Sequence, residues 1–127
     1  MSARIKTPDE FGIDVYFIEN EKIRENDEFG RVLYCLNGNY IKKDDEFGDN
    51  VLFINDNRIH KNDEFGDFVY YIDNERVKQP DEFGQQVFHI SQNRIRKGDE
   101  FGTYLFYING TISARELFLL IGIQSLK

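Results

Sequence analysis

Hydrophobic and polar positions recur along this chain with a period of 18 residues. Each period begins with Asp-Glu-Phe-Gly, at Asp9, Asp27, Asp45, Asp63, Asp81 and Asp99. Counting from that Asp, position 7 is always aliphatic (Val15, Leu33, Val51, Val69, Val87, Leu105). Position 8 is large and mostly aromatic: Tyr16, Tyr34, Leu52, Tyr70, Phe88, Phe106. Position 9 varies, and position 10 is Ile or Leu in every copy. Four such residues, bounded by Gly before and Asn, Asp or Gly after, predict a β-strand. Positions 14 to 17 place one apolar residue among basic ones, as in Arg58-Ile59-His60-Lys61, and predict a second, half-buried strand. A fixed period of this length is the mark of a repeat architecture.

Short polar links such as Asn55-Asp56-Asn57 join the two strands as hairpin turns. In the sixth copy the link shortens to Asn109-Gly110, which predicts a two-residue turn with Ile112 beyond it. Taking the other links as three-residue loops sets position 9 opposite position 15. Positions 7, 9, 15 and 17 then share one face and 8, 10, 14 and 16 the other. The first face, with the Phe of position 3, is the expected core. The second carries aromatic and aliphatic side chains beside Arg and Lys.

The predicted fold is all-β, a meander of six 18-residue hairpins within a single domain, 1–127. Residues 1–8 form a half-repeat strand, 9–112 the hairpins, and 113–127 a short capping helix that opens on the capping box Ser113-Ala114-Arg115-Glu116. Two other arrangements fit the period: a β-solenoid, and a closed barrel in which the half-repeat pairs with the last hairpin and the helix is a plug. The solenoid would stack like charges about 4.8 Å apart, which disfavours it.

The segment Val69-Tyr70-Tyr71-Ile72-Asp73-Asn74-Glu75-Arg76-Val77, followed by Asp81 and Phe83, resembles the Val-Tyr-Tyr, Ile, Asp and Phe spacing of the DKNYY repeat family. The signature tetrapeptide differs and the spacing is shorter. The resemblance implies a repeat protein and brings no activity with it.

Charge narrows the classes of partner. The net charge of −7 and pI near 4.8 disfavour nucleic acid and anionic membrane. Twelve of the 23 acids belong to the tetrapeptides, and eleven of the 16 basic residues lie in second strands. The lone Cys35 gives no intrachain disulfide and is expected to be inert packing. The absence of a signal-peptide pattern and of an apolar run long enough to span a bilayer leads to the expectation of a cytoplasmic protein.

No nucleophile triad, phosphate loop or zinc spacing is present, so the chain is expected not to be an enzyme. The Asp-Glu pairs could supply oxygen ligands to Ca²⁺, but their spacing matches no calcium loop, and no cofactor is expected. His60 and His89 fall on different faces in this register and do not suggest a joint site.

The functional expectation is a non-catalytic structural or protein-interaction module, with a glycan- or calcium-binding module as the alternative. The candidate partner-binding face is the aromatic and basic one: Tyr16, Tyr34, Tyr70, Phe88, Phe106, Arg58, Arg76 and Arg94. The terminal helix is apolar nearly all round. Leu117, Phe118, Leu120 and Ile121 are therefore the candidate self-association residues of a homo-oligomer.

Overall fold

The computed structural model describes residues 1–127 as twelve antiparallel strands closed into a barrel. The strands are β1 (Ser2–Thr7), β2 (Ile13–Glu19), β3 (Lys22–Glu25), β4 (Val32–Asn37), β5 (Tyr40–Lys43), β6 (Asn50–Asn55), β7 (Arg58–Lys61), β8 (Phe68–Asp73), β9 (Arg76–Gln79), β10 (Gln85–Ser91), β11 (Arg94–Lys97) and β12 (Tyr104–Gly110). Each strand pairs with its chain neighbours, and β1 pairs with both β2 and β12 to complete the ring. Of the arrangements that the period allows, the closed barrel is the one adopted. Closure leaves no strand edge unpaired.

The sixth hairpin is shared between the two ends of the chain. Asn109-Gly110 does not turn: β12 runs through it, with Ile108 opposite Ile5 and Gly110 opposite Ala3. The second strand of that hairpin is β1, the half-repeat, so Ile112 belongs to no strand and packs against the core.

The register differs from the one expected, for two reasons. The hairpins pair position 10 with 15 and position 11 with 14, as in Ile18↔Ile23 and Glu19↔Lys22, so the loop holds only positions 12 and 13. Position 12 has positive φ at all five tips (Asn20, Gly38, Asp56, Asn74, Gln92), a conformation that Asn, Asp and Gly adopt most readily. One residue of slip moves every side chain to the opposite face. In addition, each first strand carries a bulge at position 7. Ile23 pairs with Tyr34 and Arg24 with Val32, which leaves Leu33 extra, and the other copies repeat this. The lumen is therefore lined by positions 8, 10 and 15, with position 7 packed against it, while 9, 14 and 16 face outward.

A helix fills the lumen. α1 (Ala114–Ile123) is capped as the sequence predicts: Ser113 Oγ accepts from Glu116 N–H at 3.1 Å, and Glu116 Oε1 from Ser113 N–H at 2.9 Å. The other oxygen of Glu116 accepts from Glu21 N–H at 2.9 Å, tying the helix start to a hairpin tip. Leu119, Leu120, Ile121 and Ile123 are at most 1% exposed and join the wall residues in one core cluster. At Gly122 an added Cβ would lie 3.2 Å from Ile41 Cδ1 and Leu52 Cδ1, so the helix axis comes close to this side of the wall. A 3₁₀ turn (Gln124–Leu126) follows, and Lys127 ends by donating to the Tyr16 hydroxyl.

This placement corrects the self-association expectation. The apolar girdle of the helix packs against the wall residues of the barrel in one core cluster. Leu120 and Ile121 are inside, and Leu117 and Phe118 pack half-buried against the same core. No helix of the chain is long and apolar enough to cross a membrane.

Candidate functional site

The expected partner-binding face is divided by the barrel wall. Tyr16 and Tyr70 lie in the core at 6% and 5% exposure, and Tyr34, Phe88 and Phe106 pack half-buried against it. Burial pushes the Tyr70 phenol above its ordinary pKa. Arg58, Arg76 and Arg94 stand on the outside. The two halves of the predicted face cannot meet one ligand, and the cause is the slip in register described above.

The outer wall satisfies most of its own groups. Arg58 lies over the Phe68 and Tyr71 rings, 5.0 and 5.4 Å from their centroids, and pairs with Glu82. Arg94 lies over Tyr104 and Tyr107 and pairs with Glu10. Tyr40, Phe53, His60 and Phe68 form a continuous edge-to-face row. His60 and His89 are both outward, contrary to the expected split, but serve different repeats. His60 Nδ1 is 3.2 Å from the Gly66 carbonyl, and His89 Nε2 is 3.4 Å from Glu75. Cys35, also outward, is 2% exposed, and burial raises its thiol pKa. This agrees with its expected packing role.

His60 Nε2 is buried without a hydrogen-bond partner, and the Phe of every tetrapeptide stands clear of the wall. All six tetrapeptides lie in connections at one end of the barrel, opposite the hairpin tips. Phe11, Phe29, Phe47, Phe65, Phe83 and Phe101 are 86% to 90% exposed. They were expected in the core, and they are the most exposed aromatic residues of the chain. Neighbouring loops are separated by two strands, roughly 10 Å around the rim.

The loops that carry them are tightly specified. In each, the Asp side chain accepts from the Phe N–H at 2.9–3.0 Å. The Gly N–H then donates back to the Asp carbonyl, again at 2.9–3.0 Å. These two bonds are the local turn chemistry for which Asp is suited. The Gly has a separate cause. A Cβ there would stand 1.6–2.0 Å from the carbonyl oxygen of position 17, so no other residue fits. Outward side chains at position 16 reinforce the loop: Arg24 and Arg96 donate to the carbonyls of Gly30 and Gly102.

The Glu of the tetrapeptide is half explained. Arg4 donates to Glu28 at 2.9 Å, and Arg58 pairs with Glu82, each 24 residues ahead. Arg94 pairs with Glu10, which is 84 residues back and therefore 24 ahead around a ring of six 18-residue repeats. The ring is closed in its side chains as well as its backbone. Glu46, Glu64 and Glu100 make no ion pair; the residue 24 positions behind Glu64 is Tyr40, which has no charge to offer, whereas Lys22 and Arg76 stand at that position for Glu46 and Glu100 without closing the contact.

One carboxylate oxygen of each loop Asp is already engaged by the Phe N–H, and nowhere do three or more His, Cys, Asp or Glu side chains converge as a metal site. No family model, curated protein or solved structure matches the chain.

Proposed function

We propose that the chain is a non-catalytic protein-interaction module whose binding element is the ring of six Phe-bearing loops. One comparison carries this reading. Positions free of structural duty have diverged between copies: position 5 is Ile13, Arg31, Asp49, Asp67, Gln85 and Thr103. Position 3 touches nothing that would hold it, yet it is Phe six times. Six exposed Phe rings repeated around one end form an ordered apolar array, and Phe is among the residues enriched at interfaces. The barrel is then a rigid scaffold, and the loops are what it presents.

The test is to replace all six Phe by Ser while keeping each Asp and Gly, and to compare the proteins that the two immobilised barrels retain from an extract of the source organism. Circular dichroism should be unchanged. A specific protein held by the native chain should be lost from the variant. A partner retained equally well by both would overturn the assignment.

A further inference from the structure

The charge of the molecule is as polarised as its aromatic surface. Dividing each repeat by backbone position, the hairpin-tip half (positions 8 to 14 and the start of the helix) holds six acids and six basic residues. The loop half (positions 15 to 18 and 1 to 7, with Lys127) holds seventeen acids and ten basic residues, and so carries the whole net charge of −7. Arg4, Arg58 and Arg94 reach across to loop glutamates, yet four acids remain in excess at that end. Glu64 stands beside exposed Phe65 with no basic residue at the position that supplies the cation elsewhere, while Lys22 and Arg76 hold that position for Glu46 and Glu100 but form no ion pair with them.

We infer that the loop end docks onto a basic protein surface, each engaged Phe entering an apolar pocket flanked by Lys or Arg. This deepens the docking role proposed above and rests on it. Asp and Gly are explained by the turn and Phe by the pocket; the Glu pairs within the chain in three loops, and the three carboxylates that form no ion pair, with the acid excess around them, are free to meet cations on the partner. Charge complementarity also rejects the nearest alternative occupant, a second copy of this chain. Two loop ends face to face would oppose like charges, and the hairpin-tip end has no net charge to attract one. Loops roughly 10 Å apart let a partner with repeated pockets engage several at once, which multiplies affinity without any new kind of contact.

The experiment pans a short-peptide phage library on the immobilised chain, after subtraction on the barrel with all six Phe replaced by Ser. Enriched sequences are synthesised and titrated at low and high salt against the native chain, the Phe→Ser barrel and a variant carrying Glu46→Gln, Glu64→Gln and Glu100→Gln. None of these substitutions touches the core. Enrichment of cationic, aliphatic-rich peptides is expected. Their binding should weaken about tenfold or more without the Phe, and severalfold at high salt and in the Gln variant. Neutral or acidic peptides that still need the Phe, or binding indifferent to the three Gln, overturn the basic partner and leave the docking role standing. Peptides that bind the Phe→Ser barrel equally well, or no enrichment at all, overturn both.

Discussion

At the scale of the residue, the tetrapeptide separates side chains that build from one that is displayed. Gly66 belongs to the first kind. A Cβ there would be 1.6 Å from the Lys61 carbonyl oxygen, a backbone atom that cannot swing aside. Gly66→Val is expected to cost at least about 2 kcal/mol, read as a lower urea midpoint. Phe65 belongs to the second, being 88% exposed. Phe65→Ser should leave the same midpoint within about 0.5 kcal/mol of native; a larger loss would mean that the ring packs on something. Cys35 gives a third check. Covered by neighbouring side chains on the outer wall, with its thiol pKa raised, it should react with a thiol reagent at neutral pH more slowly in the native chain than in the urea-unfolded one. The sequence made these Phe look like core because apolar residues in a periodic pattern usually are. The contrary signal was their place between two acids and a Gly, outside either strand.

At the scale of the element, both strands of every complete hairpin could be read from periodicity, as could the helix cap. The face each strand presents could not. A link such as Asn55-Asp56-Asn57 is equally good turn chemistry as two residues or three, and the structure spends only Asp56 and Asn57 on the turn. That single residue carried Tyr16 and Tyr70 from the expected open face into the lumen, and the bulge at position 7 left no pattern to detect. The outward Arg–Glu pairs now tie repeats two apart. A double-mutant cycle on Arg58→Ala and Glu82→Ala should give a coupling of about 1 kcal/mol, since both side chains remain roughly a quarter to a third exposed. The same cycle on Arg94 and Glu10 should give a similar value, because that pair is the same contact made across the closure. A coupling near zero for the second pair alone would mean that the ring is open in solution.

At the scale of the whole molecule, the helix stabilises the barrel from within. Truncation after Ser113 would remove Leu119, Leu120, Ile121 and Ile123 from a lumen lined by Ile5, Ile23, Ile41 and Ile59. The loss of a cooperative thermal transition is expected, not a repeat array that stays folded. The wall repeats six times, but the plug has no such repeat, so a symmetric barrel offers the helix six nearly degenerate rotational settings. The sequence must lift that degeneracy somewhere, and Leu52 does so. It is the one non-aromatic residue at position 8, and it sits where Gly122 lets the helix axis approach. Leu52→Tyr, which restores the pattern of the other five repeats, should therefore destabilise by about 1–3 kcal/mol through overfilling. With Arg115 held by Glu21 and the Gly38 carbonyl at the other end, the wall is keyed to a single orientation of its plug. Six loops alike in sequence are thus mounted on a body whose interior tells each of them apart.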